Sequence, residues 1–206
     1  MAVKTGARAP RACYNLLVAG TDRDRWNARY RGGEGAAGPS PFVLSLAPLL
    51  PRVGRALDAA GGAGRHALWL VRRGLAVTLA DVSDVALEGA VEAARAEGLP
   101  LATVRIDLER EPLPAGSWDL ILCTHFLHRP LFPAFAAALA PGGLLAVEHP
   151  TRRNLERHPR PGPAHLLEEG ELATLAGGLE LLRAEEGWLE SGRHEARLVA
   201  RRPLPG

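Results

Sequence analysis

The 206-residue sequence contains few cysteines and little net charge. Its two cysteines, Cys13 and Cys123, lie far apart in the chain. This excludes a disulfide framework and a cysteine-rich metal site, and it favours a reducing compartment. We therefore predict a cytoplasmic protein. The net charge of +2 indicates no general attraction to nucleic acid, so no nucleic-acid partner is expected.

Long hydrophobic runs are also missing. No apolar stretch reaches the roughly 20 residues that a membrane-spanning helix needs, so no membrane partner is expected. The apolar stretch at 16–19 is too short for a secretory signal. Hydrophobic residues nevertheless make up 47% of the chain and charged residues 23%, which is typical of a soluble globular protein. The length allows one sizeable domain.

Between residues 55 and 148, short apolar runs alternate with helical patterns. The predicted strands are 55–59, 75–80, 101–106, 118–123 and 144–148, and the helices between them are 64–73, 83–97 and 130–139. Strands separated by helices of this length indicate βαβ units and a mostly parallel sheet. A further helix at 168–176 precedes two strands at 179–184 and 195–201, whose short link favours a terminal antiparallel hairpin.

The flanking segments have weaker patterns. Residues 1–22 show no periodicity and are predicted to be a mobile extension, with one domain over 23–206. Within that domain, 23–51 is predicted to form an N-terminal helical cover, comprising a short helix at 22–30, a loop at 32–41 and a helix at 42–50. Residues 149–166 are rich in Arg, His and Pro and are predicted to form a lid-like loop.

A glycine loop follows the first predicted strand. Asp58 lies near the end of the strand, and the loop at 59–64 carries three glycines before a helix begins. This layout presents backbone N–H groups and a helix N-terminus to a ligand. Asp58 would repel a pyrophosphate but attract a cation. The pattern Gly62-x-Gly64-x-x-Ala67 still fits a relaxed dinucleotide motif, so a nicotinamide-dependent oxidoreductase remains an alternative.

Aspartates close three successive strands. They are Asp58, Asp81 and Asp107, and the carboxyl ends of parallel strands meet at the edge of the sheet where ligands bind. The spacing from Gly62 to Asp81 is close to the roughly 20 residues expected for an acid that binds ribose hydroxyls. The three aspartates therefore predict one binding site for a ribose-bearing ligand.

These motifs, taken in order, resemble those of class I S-adenosylmethionine-dependent methyltransferases. The set comprises L-D-x-A-x-G-x-G-R-H-A from Leu57, Asp81-Val-Ser83, Asp107-Leu, Trp118-Asp-Leu-Ile-Leu and Pro141-Gly-Gly143. The resemblance implies a Rossmann-like three-layer α/β sandwich. Its seven-stranded, mostly parallel sheet would have strand order 3-2-1-4-5-7-6 with strand 7 antiparallel. The implied cofactor is S-adenosylmethionine, and its product is S-adenosylhomocysteine.

A closer resemblance is to the tellurite-resistance-type methyltransferases. It is carried by G-x-G-R-H-A-L-W-L, L-I-L-C-T and Glu169-Gly-Glu-Leu172, although Ala60 replaces the commoner glycine. The resemblance implies that Asp58 places the cofactor ammonium, that Asp81 binds the ribose and that Asp107 accepts from the adenine amino group. The remaining residues implied to contact the cofactor are Ala60, Gly62, Gly64, Arg65, Val82, Leu108 and, near the sulfonium, Cys123.

The methyl acceptor is less well defined. His125 and His128 are predicted to line its pocket, and Arg152 and Arg153 to form an anion-binding cap, with a solvated lid as the alternative. No metal site is predicted, because His125-x-x-His128 lacks a third ligand. The sequence shows no acid/base pair, so no catalytic residue is assigned.

The predicted function is methyl transfer from S-adenosylmethionine to a small molecule, with a soft or anionic acceptor favoured. Soft nucleophiles such as sulfur, selenium or tellurium need no general base. A nicotinamide-dependent oxidoreductase and a non-catalytic S-adenosylmethionine-binding regulator are the alternatives. The oligomeric state, monomer or homodimer, is left open.

Overall fold

The computed structural model describes residues 21–33 and 38–205, so nearly all of the predicted N-terminal extension lies outside it. Within these residues, helices α1 to α6 span Asp22–Arg31, Pro41–Ser45, Arg65–Arg72, Asp84–Ala96, Leu131–Ala138 and Glu171–Leu175. Strands β1 to β7 span Arg55–Ala59, Ala76–Asp81, Leu101–Arg105, Trp118–Thr124, Leu139–Pro150, Glu180–Trp188 and His194–Arg201. Short 3-10 helices span Arg152–Glu156 and Pro163–His165. In the described part of the chain, no helix has the length and apolar character to cross a membrane.

The seven strands form one sheet in the order β3-β2-β1-β4-β5-β7-β6. Strands β1 to β5 pair in parallel, and β7 runs antiparallel to both β5 and β6. The predicted fold class, strand order and antiparallel strand 7 are therefore confirmed. The strand order reverses between β1 and β4, and in open α/β sheets ligands bind beyond the carboxyl ends of the strands at such a point.

Helices cover both faces of the sheet. On one face, α3, α4 and residues of α2 pack against alternate residues of the strands, including Ala56 of β1. On the other face, α5 and α6 pack on Leu57 and Ala59. Both faces of β1 are buried, as expected for a central parallel strand, so its carboxyl end is held rigidly in the middle of the sheet.

Strand β5 corrects two predictions. It begins at Leu139, so Pro141-Gly-Gly143 is not a separate turn but an irregular segment of the strand, where the pairing with β4 shifts register. A Cβ at Gly143 would lie 2.6 Å from the Trp118 carbonyl oxygen, so only glycine fits this close approach. The strand also continues to Pro150, so the first two residues of the predicted lid-like loop belong to the sheet.

Helix α2 also differs from its prediction. It spans only Pro41–Ser45, and turns follow it where a helix to residue 50 was expected. Ser40 caps its first turn by accepting a hydrogen bond from the Val43 N–H at 3.3 Å. The apolar spacing that predicted a longer helix instead buries Phe42, Val43 and Leu46 against the sheet.

Candidate active site

The glycine loop folds tightly over the end of β1. Ala60, Gly62 and Gly64 have positive φ angles of 54°, 59° and 75°, a conformation that glycine adopts without steric cost. A Cβ at Gly61 would lie 2.5 Å from both the Asp58 Cγ and the Leu79 Cδ1. The loop backbone therefore rests directly on the Asp58 carboxyl group, and a larger residue at 61 would separate them.

Asp58 is a buried carboxyl group without a hydrogen-bond partner. The side chain is fully buried, and neither carboxylate oxygen makes a hydrogen bond within the described residues. Burial, with a smaller contribution from the charge of Asp81, raises the pKa of Asp58 to about 7. An unpartnered buried carboxylate is costly unless a ligand supplies a donor or a positive charge.

Asp81, at the end of β2, holds the loop from the other side. One carboxylate oxygen accepts from the Gly62 N–H at 2.8 Å, and the other accepts from the Ser83 N–H at 2.9 Å. Burial raises the pKa of Asp81 despite these bonds. Each carboxylate oxygen can accept more than one hydrogen bond, so both retain capacity for a ligand hydroxyl.

Helix α1 lies over this loop and is fixed to the start of α4. The Asn27 side-chain oxygen accepts from the Ser83 hydroxyl at 2.6 Å and from the Val85 N–H at 3.3 Å. At the far end of α1, a Cβ on Gly62 would lie 2.1 Å from the Tyr30 hydroxyl oxygen. Tyr30 therefore lies directly against the glycine loop, as a cover over a ligand site would.

The other predicted cofactor residues are spread along the carboxyl edge of β1 to β4. Leu108 is buried, and Val82, Arg65 and Asp107 are partly buried. One Asp107 oxygen accepts from the Glu109 N–H at 3.1 Å, which shapes the turn after β3. These residues flank the strand ends that also carry Asp58 and Asp81, so the structure brings the predicted set to one edge of the sheet.

Cys123 lies near the end of β4 and is buried. Burial raises its thiol pKa to about 12, and the charge of Asp58 adds to this effect. Its sulfur donates a weak hydrogen bond to the Phe126 carbonyl oxygen at 3.5 Å. The thiol is thus neutral at physiological pH and suits a packing role rather than nucleophilic attack.

A buried polar network lies beyond β4 and β5. His66, in the first turn of α3, accepts from the Ser40 N–H at 3.3 Å and contacts the Thr124 hydroxyl at 3.3 Å. Burial lowers the pKa of His66 to about 3, so the ring is neutral. Glu148 accepts from the Ser40 hydroxyl at 2.9 Å and from Arg197 at 2.9 Å. This network joins the residues before α2 to the β5–β7 pair.

One pair of titratable side chains in this region has no counterpart in the sequence predictions. The His125 Nε2 lies 3.0 Å from the Glu195 Oε1. Glu195 is the second residue of β7, which the sequence predicted only as a terminal strand. The two residues are seventy positions apart, and only the antiparallel placement of β7 beside β5 brings them together. Single-sequence spacing carries no signal for such a contact.

The same region gathers three groups that could ligate a metal. Donor atoms of His125, Glu148 and Glu195 lie within 4.8 Å of one another. His128, the partner that the His-x-x-His spacing suggested, is not among them. Both oxygens of Glu148 already accept hydrogen bonds, one of them from the cationic Arg197. A cation here would have to displace these donors.

The two predicted cap arginines are paired with carboxylates. Arg152 binds Glu168 at 2.5 Å, and Arg153 binds Glu156 at 3.0 Å. All four side chains are about half exposed, so these are surface pairs of small energetic value. An anionic ligand would compete with them for the two guanidinium groups.

Two surface hollows lie away from the predicted site residues. One, of about 350 Å³, is lined by the outer face of α4, and the other, of about 410 Å³, lies at the amino ends of β1 to β3. The carboxyl edge of the sheet lies under α1 instead. A ligand at this edge would therefore bind beneath a cover rather than in an open hollow.

The chain matches known proteins in sequence family and in fold. Residues 56–143 match the protein family described as a methyltransferase domain. No curated protein sequence matches the chain significantly.

Several solved structures share the fold. TehB from Haemophilus influenzae superposes with a TM-score of 0.71 at 21% identity, over 87% of this chain and 66% of that one. A TehB-like S-adenosylmethionine-dependent methyltransferase from Corynebacterium glutamicum gives 0.62 at 21% identity, over 87% and 95%. Magnesium protoporphyrin IX methyltransferase from Synechocystis, solved with S-adenosylhomocysteine, gives 0.67 at 17% identity, over 87% and 97%.

The matched domain and the shared fold agree with each other. The chain has the class I S-adenosylmethionine-dependent methyltransferase fold, and residues 56–143 match the methyltransferase-domain family. The predicted fold is thereby confirmed, and S-adenosylmethionine, as predicted, is the cofactor of the methyltransferases that share this fold. The similarity to TehB and a TehB-like structure agrees with the predicted tellurite-resistance-type resemblance at the level of the fold.

The residues at the glycine loop suit that cofactor. The unpartnered carboxylate of Asp58 is complementary to an ammonium group. The free capacity of Asp81 suits ribose hydroxyls. Buried Leu108 and partly buried Val82 offer apolar surface for an adenine ring.

Proposed function

We propose that the protein transfers a methyl group from S-adenosylmethionine to a small-molecule acceptor. The observation that supports this most strongly is Asp58. A buried carboxylate beneath the glycine loop, with no hydrogen-bond partner in the described chain, favours a ligand that brings positive charge there. The pyrophosphate of a nicotinamide dinucleotide would add repulsion instead, which argues against the oxidoreductase alternative.

The remaining predicted residues would contact different parts of the cofactor at three strand ends. Asp81 would bind the ribose, with Val82 against the adenine, and Asp107 would accept from the adenine amino group beside Leu108. Ala60, Gly62 and Gly64 would bring the loop backbone to the methionine part, near Arg65, with Cys123 close to the sulfonium. When bound, the cofactor supplies an electrophilic methyl group, and the protein supplies binding and orientation.

The acceptor would approach over the carboxyl ends of β4 and β5. His125 is exposed and His128 is partly buried in the loop that follows β4, which supports their predicted place beside the acceptor. An anionic acceptor would have to draw Arg152 or Arg153 out of its surface ion pair. The domain responsible would be 23–206, with 23–51 as its cover and the stretch after β5 as its lid. The scarcity of cysteine supports a cytoplasmic location.

Transfer of a labelled methyl group tests this proposal. The protein would be incubated with S-adenosylmethionine labelled at the methyl carbon and a panel of small hydroxyl, amine, thiol, selenide and tellurite acceptors. Label should appear in at least one product, and S-adenosylhomocysteine should accumulate with it. Saturable binding of S-adenosylhomocysteine without transfer to any acceptor would instead favour the non-catalytic regulator.

A further inference from the structure

His125 and Glu195 form a hydrogen-bonded pair beside the predicted acceptor position. The His125 Nε2 lies 3.0 Å from the Glu195 Oε1, and Glu195 is only 4% exposed. Burial opposes ionisation of Glu195, but the hydrogen bond from His125 and the charges of Arg193 and Arg197 hold its pKa below the ordinary value. The carboxylate is therefore ionised at neutral pH and acts as a hydrogen-bond acceptor.

This contact fixes which nitrogen of His125 carries the proton. An ionised carboxylate only accepts hydrogen bonds, so Nε2 of the neutral ring must be the N–H nitrogen. The other nitrogen, Nδ1, then carries a free lone pair and has no hydrogen-bond partner in the described part of the chain. The side chain is 31% exposed, so Nδ1 is open to a molecule outside the protein. A nitrogen base oriented by a carboxylate is the arrangement that general-base catalysis uses.

The backbone at His125 supports a functional role. Its φ angle is 57°, a left-handed conformation that is uncommon outside glycine, although histidine, asparagine and aspartate adopt it more often than other residues. The His125 N–H donates to the Glu148 carbonyl oxygen at 2.8 Å, which holds this conformation at the end of β4. Strained backbone that the surrounding structure maintains is concentrated at functional sites.

The pair lies at the point where an acceptor would meet the cofactor. β4 is the direct neighbour of β1, which carries Asp58 and the glycine loop, and the strand order reverses between these two strands. Glu195 is opposite Pro150 in the β5–β7 pairing, so the Glu195 carboxylate lies at the same carboxyl edge of the sheet. Other titratable groups near the pair are Glu148 of the network, Arg193 and Arg197 of the β7 side, and the neutral histidines His66 and His149.

We propose that His125, oriented by Glu195, is the general base of the methyl transfer, and that the acceptor is a hydroxyl or amine that must lose a proton. This inference rests on the proposed function. The acceptor oxygen or nitrogen forms a bond to the methyl carbon while the carbon–sulfur bond breaks, and that electron pair stays on sulfur. The acceptor proton passes to the His125 Nδ1 and then to solvent. The sequence favours a soft acceptor because it shows no general base. The pair of His125 and Glu195 supplies such a base.

The competing explanation is a divalent cation held by His125, Glu148 and Glu195. The hydrogen bonds from Ser40 and Arg197 to Glu148 favour the general base, since they occupy the oxygens that a cation would need. The two explanations differ in the role of Glu148. A bound cation would make Glu148→Gln as damaging as a change at His125.

The experiment compares His125→Asn with the wild-type protein. Asparagine tolerates the left-handed backbone but cannot act as a base, so the variant should fold. The matched control is Glu88→Gln, which removes an exposed titratable side chain on α4, away from the carboxyl edge of the sheet. Measurements are S-adenosylhomocysteine affinity by calorimetry and the pH profile of methyl transfer to paired hydroxyl, amine and thiol acceptors of the same carbon skeleton.

We expect His125→Asn to bind S-adenosylhomocysteine within about twofold of wild type while transfer to the hydroxyl or amine falls about 100-fold. The wild-type rate should fall as the pH is lowered, and this fall should be absent in the variant, which has no base at position 125. Imidazole added to His125→Gly should restore part of the rate, and Glu88→Gln should behave as wild type.

Three results would overturn the general base. They are transfer to hydroxyl and amine acceptors that His125→Asn leaves unchanged, transfer to thiols alone, and activity lost in EDTA and restored by Mg²⁺ or Zn²⁺. A wild-type protein that fails to bind S-adenosylhomocysteine, or that transfers the methyl group to no acceptor, would instead overturn the proposed function itself, so the two failures are distinguishable.

Discussion

Among single residues, Asp58 connects stability most directly with ligand binding. Its raised pKa means that, between pH 4 and 7, the folded chain holds a proton that the unfolded chain releases. The stability of the ligand-free protein therefore falls as pH rises through this window, and the loss is complete above pH 7. A shift from 3.8 to about 7 corresponds to about 4 kcal/mol at most.

Asp58→Asn should remove this part of the pH dependence. The neutral amide has nearly the same shape, so the variant should be more stable than wild type at pH 8 and about equal to it at pH 4. Urea unfolding at both pH values measures the difference. An equal stability difference at the two pH values would contradict the raised pKa. The same variant should bind S-adenosylhomocysteine about tenfold more weakly at pH 8, because the ammonium loses its partner.

Gly61 is the second residue that determines the geometry of the site, because its lack of a side chain lets the loop pack on Asp58. Gly61→Ala would place a Cβ 2.5 Å from the Asp58 Cγ and the Leu79 Cδ1, both of them buried and constrained. We expect a loss of about 1–3 kcal/mol in the free energy of unfolding. Gly89→Ala is the matched control, since nothing lies within 4 Å of this exposed position of α4, and it should stabilise the protein by about 0.5–1 kcal/mol. Equal effects of the two changes would contradict the close packing of the loop.

Among the elements, α1 is the one whose position controls access to the loop. Asn27→Ala removes the acceptor for the Ser83 hydroxyl and the Val85 N–H, and the expected cost is about 1–2 kcal/mol in the attachment of α1 to α4. Hydrogen–deuterium exchange of α1 amides should become faster, and S-adenosylhomocysteine should dissociate faster. Arg25→Ala is the control, because the exposed Arg25 side chain forms an ion pair with Asp22 of the same helix. If both variants exchange alike, α1 is not held by Asn27.

The strands and helices show which local signals predict structure. The β1, α3, β2 and α4 segments lie within one or two residues of their predictions, because glycine, aspartate and serine mark their ends chemically. β5 is longer than predicted because pairing with β4 and β7 carries it across a Pro-Gly-Gly segment that locally favours a turn. Pairing with the neighbouring strands overrides the turn propensity of this segment. No local sequence pattern indicates that pairing.

For the whole molecule, local sequence order predicts the cofactor side of the site better than the acceptor side. Asp58, Asp81 and Asp107 each lie at or just after the carboxyl end of a strand of the parallel sheet, so their position at one edge follows from the βαβ order alone. The contact between His125 and Glu195 depends on the antiparallel insertion of β7 beside β5. The same insertion forms the Glu148–Arg197 pair, in which Glu148 is 2% exposed. Such contacts over long sequence distances cannot be inferred from spacing.

Titration calorimetry with S-adenosylhomocysteine, with NAD⁺ and NADP⁺ as competitors, tests the assignment of the cofactor. We predict saturable binding of S-adenosylhomocysteine at one site per chain, weakened in Asp81→Asn, and no binding of either dinucleotide. Binding at 100 times the dissociation constant should also stabilise the fold by about 2.7 kcal/mol. Saturable binding of NAD⁺ or NADP⁺ without binding of S-adenosylhomocysteine would contradict the account.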